Sequence, residues 1–243
     1  MRGRRAVAAG AAVLGLAWCG TPTKADETRP ARPTVLLYAG ADFWRQGGFS
    51  HGGILWAPAG LDRSGAVLKL LVGGGLYRYT SGALGNVEVR GDELTSSLQA
   101  GWRYIRGKLA ITGFLGADFK HHQLTPDDPS AGLRGTYAGA RTGFELWYEP
   151  TDATMVSADA SVSTIGPSYN ARLAAGWRLF DQFYLGPEVQ AFAADDNYQQ
   201  FRAGAHVTGL HTGDFEWSVG VGWASDSDDE SSLYARIGVF TRR

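Results

Sequence analysis

The sequence predicts an all-β fold: a closed antiparallel transmembrane β-barrel of about twelve strands, preceded by a cleavable signal peptide. Three observations lead there. An export leader opens the chain. Period-two alternation of apolar with polar or small residues then runs through nearly everything that follows. Finally, glycine (34 of 243) is about twice its usual share, with no apolar run of transmembrane-helix length after the leader.

The leader combines Arg2, Arg4 and Arg5, an apolar run from Ala6 to Trp18, and a small residue at the cleavage position in Thr23-Lys24-Ala25. This predicts Sec-type export with cleavage near Ala25. It divides the chain into a signal peptide over 1–25, a Pro/Arg-rich lead over 26–33 and a barrel over 34–243. Cys19 follows the bulky Trp18 and is expected to leave with the leader, so the mature chain has no thiol chemistry. Cleavage also takes four basic residues (Arg2, Arg4, Arg5, Lys24) and no acidic ones. The balance becomes 19 basic to 24 acidic, a net charge of −5. Without a polybasic run, nucleic acid is not an expected partner.

The strands follow from alternation and turn signals. In order they are expected over 34–46, 48–57, 66–80, 93–105, 108–121 and 135–149. The second half gives 154–165, 168–180, 182–194, 198–211, 214–225 and 231–241. The clearest case sets Tyr169, Ala171, Leu173, Ala175, Trp177 and Leu179 against Asn170, Arg172, Ala174, Gly176 and Arg178. One face is apolar, and the other carries small residues and two arginines. Many of these runs exceed soluble strands and suit the nine to eleven residues of a tilted spanning strand. An even strand count puts both chain ends on the side with the tighter turns. A soluble barrel or sandwich also alternates, but Lys and Glu would then dominate the polar face, where Gly, Ala and Ser stand here. Trp44, Trp56, Tyr104, Trp147, Tyr148, Trp177, Tyr184 and Trp217 lie near strand ends, as an interfacial girdle requires. Barrel proteins often end on an aromatic residue, whereas Thr241-Arg242-Arg243 follows Phe240 here.

The polar faces collect Asp42, Lys69, Arg103, Asp118, Arg141, Glu145, Asp159, Arg172, Arg178, Glu188, Arg202, His206, Glu216 and Arg236. In a barrel these project into one lumen. One reading is a salt-bridge network that fills and stiffens the barrel, which small barrels need regardless of function. The other is a polar conduit in which Tyr38, Trp44, Tyr77, Tyr184 and Tyr234 offer faces to a sugar. No Gly-x-Ser-x-Gly elbow and no metal-type histidine spacing occurs, so neither a catalytic set nor a cofactor is expected. The paired aspartates between Pro126 and Pro129 read as a rigid turn, and Asp226 to Glu230 as a solvated hairpin tip.

Several stretches, in order, resemble the cellulose biosynthesis protein BcsS family of alphaproteobacteria. They begin with Tyr38-Ala39-Gly40-Ala41-Asp42-Phe43-Trp44-Arg45, Gly60-Leu61-Asp62-Arg63, Leu68-Lys69-Leu70-Leu71 and Gly75-Leu76-Tyr77-Arg78-Tyr79. Gly101-Trp102-Arg103, Leu146-Trp147-Tyr148-Glu149-Pro150 and Ala158-Asp159-Ala160-Ser161 come next. Gly176-Trp177-Arg178-Leu179-Phe180 and Tyr184-Leu185-Gly186-Pro187-Glu188 complete the set. The resemblance implies membership of a cellulose production system and supplies no catalytic residues. The expectation is a non-enzymatic outer-membrane barrel that assists export or surface placement of the glucan. Its expected partners are outer-membrane lipid, the β-glucan chain and other proteins of that system. The alternatives are a general small-solute pore and a membrane-barrel hydrolase or acyltransferase using His121 or His206.

Overall fold

The computed structural model describes residues 32–194, 198–227 and 231–243. The expected leader, most of the lead and the acidic residues 195–196 and 228–230 lie outside them. Twelve strands follow in order: β1 (Val35–Trp44), β2 (Gly47–Trp56), β3 (Gly65–Ser81), β4 (Val87–Arg106), β5 (Leu109–Thr125) and β6 (Gly135–Thr151). Then come β7 (Thr154–Ser163), β8 (Ser168–Leu179), β9 (Phe183–Ala193), β10 (Gln199–Thr212), β11 (Phe215–Asp226) and β12 (Ser231–Arg242). Each pairs antiparallel with its sequence neighbours. Pairing of β12 with β1, from Leu36↔Arg242 to Trp44↔Tyr234, closes the barrel. Closure leaves no unpaired sheet edge, which is what allows strands to cross a membrane.

Ladder register assigns every side chain a face. Asp42, Arg236, Gly220 and His206 stand in one row, and Phe43, Ala235, Val221 and Ala205 in the next. The second row and its equivalents are apolar and exposed: Leu98 is 58% exposed, Leu115 65% and Trp102 63%. Full burial of one such side chain is worth roughly 1.5–3 kcal/mol, and this face forgoes it all the way round. A belt of that size belongs in lipid rather than water. Trp56, Tyr104, Tyr148, Trp177 and Trp217 form an outward girdle near the tight-turn end. Trp44, Trp147 and Tyr184, expected in the same girdle, instead occupy the inward rows.

Strand lengths are unequal. β3 to β6 have 17 to 20 residues, whereas the other eight have 10 to 14. β4 begins at Val87, six residues before the expected start, because Val87 to Asp92 pair with Leu76 to Ser81. The connection shrinks to residues 82–86, closed by Gly85 and Asn86 at φ 75° and 66°. β5 likewise runs on to Thr125, opposite Arg90.

Three ladders are irregular among the described pairings. β6–β7 shifts register between Tyr148 and Thr151, and β10–β11 between Thr208 and Leu210. Between Ala174↔Glu188 and Trp177↔Leu185 the β8–β9 ladder loses its pairs without changing register. The continued register would set Ala175 opposite Pro187, and proline has no amide hydrogen to give.

Candidate functional site in the barrel lumen

The structure places all fourteen charged or histidine candidates on inward rows, and their partners divide them into groups. Glu188, 1% exposed, anchors the largest. Its Oε2 receives Arg172 Nε and Arg236 Nη2, each at 2.9 Å, and its Oε1 receives the Tyr234 hydroxyl at 3.0 Å and Gln190 Nε2 at 3.1 Å. Both oxygens are therefore saturated, the condition under which a buried carboxylate is tolerated. Local sequence makes the room for this. Gly204, Gly220 and Gly222 line the floor, and a Cβ at Gly220 would stand 2.1 Å from Glu188 Oε1.

Arg202 forms a second group. Its Nη1 bonds Asp42 at 3.1 Å and its Nε bonds Gln200 at 2.6 Å. Its guanidinium lies 4.9–5.3 Å from the rings of Phe192, Trp44 and Tyr234. Cation–π contacts are worth most when desolvated in this way. In a third group Asp118, fully buried, takes a two-pronged bond from Arg141 (3.1 and 3.0 Å) and the Ser163 hydroxyl at 2.5 Å. Lys69 crosses the Phe114 ring at 4.9 Å to reach Glu145 at 2.5 Å.

Toward the tight-turn end, Glu216 stands 3.3 Å from Arg242 and 3.4 Å from His211. Arg178 donates to the Tyr184 hydroxyl and lies 3.8 Å from Glu149. Arg103 has no carboxylate partner among the described residues, and its buried Nε bonds to nothing.

The aromatic candidates are mostly occupied. Tyr234 and Tyr184 are 2% and 5% exposed, with arginines over both rings, so neither presents a free face to a sugar. Trp44 flanks Arg202, Tyr38 donates to Leu70 O at 3.2 Å, and Tyr77 stacks on Tyr79.

Both mouths narrow. At the tight-turn end residues 57–64 fold back so that Leu61 packs with Leu55, Ala57, Val67 and Phe114. Leu61 N–H bonds Pro33 O at 2.9 Å, and Gly60 makes the reversal at φ 105°. At the other end Leu133 and Ile165 are buried, and Leu133 lies against Gly166. Asp128, 1% exposed, pins that loop by accepting from Ser130 Oγ (2.6 Å), Ser130 N–H (3.0 Å) and Tyr79 Oη (3.0 Å). The Ser130 hydroxyl, then that of Ser81, pulls its carboxyl from 3.8 down to about 2. Alternation cannot reveal these two plugs, although apolar Leu61 and Leu133 inside polar connections are a signal in hindsight.

His206 bonds Thr208 Oγ1 and Ala175 O, while His121 points outward to Thr136 Oγ1 at 2.8 Å. Among the described residues neither is bonded to a serine or a carboxylate. No group of three or more His, Cys, Asp or Glu that could hold a metal occurs among the described residues.

Fold and lumen together define a membrane β-barrel of outer-membrane type with a charged, partly filled interior. The model of the cellulose biosynthesis protein BcsS matches residues 36–243, and the chain belongs to that family. No curated protein sequence matches it. Among solved structures, the TodX deltaS2S3 mutant monoaromatic hydrocarbon channel aligns at 9% identity and TM-score 0.55, covering 87% of this chain and 90% of that one. The KdgM porin aligns at 10% and 0.46, covering 85% and 98%. The translocator domain of the autotransporter NalP from Neisseria meningitidis aligns at 16% and 0.47, covering 89% and 90%. At these identities the likeness is one of fold alone.

Proposed function

We propose that this chain is a non-enzymatic barrel of the outer membrane that assists export or surface placement of β-glucan in a bacterial cellulose system. The family match across the whole barrel carries the reading. The exposed apolar belt and the polar lumen support the membrane location and contact with a hydroxylated chain. Leu61 at one mouth and Leu133 with Asp128 at the other favour placement, or gated passage, over a permanently open pore. Deleting the gene and measuring surface cellulose tests it, together with fractionation of the tagged protein. Normal amount and attachment of cellulose in the deletion strain would falsify the role. Recovery of the mature protein from the inner membrane or periplasm would sink the location. Unselective solute flux in liposome swelling, with cellulose unaffected, would point to a general pore.

A further inference from the structure

Resting on the reading above and deepening it, we propose that Glu145, Asp159 and Asn170 form a carbohydrate subsite in the lumen, taking the hydroxyls of an uncharged β-glucan segment. The three lie on consecutive strands, spread over two adjacent inward rungs. Glu145 on β6 is directly opposite Asp159 on β7, and one rung away Gly143, Ser161 and Asn170 follow one another across β6, β7 and β8.

This part of the lumen differs from the rest in being open and unsaturated. The Glu145 and Asp159 side chains are 42% and 41% exposed, against 0% for Glu188 and Asp118. Glu145 spends only Oε1, on Lys69. Asp159 accepts no hydrogen bond among the described residues, its nearest cation being Arg172 at 3.9 Å. Asn170 uses its oxygen to accept from Ser161 Oγ at 3.2 Å, which leaves both amide hydrogens to give. On the neighbouring wall Gln99, 4% exposed, projects inward across the ladder from Lys69, with its amide nitrogen unpartnered. Gly143 supplies a floor. A Cβ there would meet nothing nearer than Ala160 O at 3.7 Å and Phe114 at 3.8 Å.

Charge selects the ligand class. Two opposed carboxylates alone would suit a cation, but Lys69 and Arg172 balance them, and Arg141 is matched by Asp118. With Arg103 on the rung of Glu145 as well, the site has no surplus of negative charge, and its acceptors beside amide donors fit a molecule whose hydroxyls both donate and accept. Because Phe114 carries Lys69 and Tyr234 carries Arg202, stacking adds little. Binding then rests on a few exchangeable hydrogen bonds, which suits a chain that must move on.

The test titrates cellohexaose, maltohexaose and calcium chloride separately into the full barrel in detergent micelles, read by saturation-transfer NMR for the sugars and calorimetry for calcium. Cellohexaose is expected to bind in preference to maltohexaose. Asn170→Ala should weaken it about three- to tenfold, the worth of one or two hydrogen bonds. Gly143→Leu, which fills the floor without touching an ion pair, should abolish it. Heat-modifiable gel mobility confirms that each variant is folded. Absence of cellohexaose binding, equal binding of maltohexaose, calcium binding alone, or binding unchanged in both folded variants overturns the subsite. A deletion strain with normal cellulose overturns the wider role but leaves a measured subsite standing, so the two failures are distinguishable.

Discussion

His206 Nε2 lies 3.1 Å from the main-chain oxygen of Ala175, the carbonyl that faces Pro187 and so lacks an amide partner. The imidazole reaches it from β10 by passing over Gly186 on β9, where no side chain intervenes. A carbonyl only accepts, so Nε2 carries a proton, while Nδ1 meets the Thr208 hydroxyl at 2.9 Å. A side chain from one strand thus repairs the ladder between the next two.

His206→Ala should therefore cost about 1–3 kcal/mol, the penalty of an unsatisfied buried polar group. Pro187→Val returns the amide hydrogen and should make the same histidine substitution nearly neutral. A double-mutant cycle on urea unfolding in lipid vesicles reads the coupling, and additive effects would refute the repair.

The Glu188 cluster yields a larger number. Glu188→Ala leaves Arg172 and Arg236 buried without their acceptor, and breaking such a set costs about 3–5 kcal/mol. Gly220→Ala should cost about 1–3 kcal/mol by overpacking, since its methyl meets Glu188 Oε1. Shifts in the unfolding midpoint at constant slope would confirm both. A midpoint equal to wild type would show the cluster to be slack.

Loop pinning by Asp128 sets a pH dependence. Its folded pKa of about 2 lies below the ordinary 3.8. The stabilisation is present above that ordinary value and is lost as pH falls through about 2. Hydrogen exchange at residues 126–134 should thus be slow at pH 6 and pH 4 and, corrected for intrinsic rate, accelerate near pH 2. Asp128→Asn should show the faster exchange at every pH.

Lipid contact is tested from outside the barrel. Leu98→Arg, in the middle of β4, should destabilise by about 2–4 kcal/mol, as arginine does at the bilayer midplane. Glu88→Arg lies at the loop end of the same outward row and should change stability little, being clear of the hydrocarbon. Equal effects would place the belt at the wrong height.

How much of this was legible in the sequence follows from where the chain meets two different media. Between Tyr169 and Leu179 one face is greasy and the other wet, so alternation marks the strand. Along Val87 to Asp92 the outward side chains are Glu88, Arg90 and Asp92 while Val89 is buried on the inward face, the reverse of the belt's pattern, so the segment reads as a loop until its partner strand is known. Parity also assigns side chains to the lumen, but it does not choose their partners. Lys69 and Glu145 are 76 residues apart, and Asp42 and Arg202 are 160 apart. The aromatic rings illustrate the same gap: Trp44 and Tyr234 are conspicuous in sequence, yet only the closed sheet reveals an arginine against each.

The unequal strands have a consequence for the mouth at their long ends. β6 begins at Gly135, whereas its pairing with β7 begins only at Arg141, so the taller strands stand above the shorter ones like the back of a chair. At about 3.4 Å per residue the step is on the order of 15–20 Å. A stiff molecule at this mouth meets a higher strand wall on one side than on the other. The rim therefore gives the barrel a heading within the membrane plane, a front and a back that an evenly cut cylinder lacks.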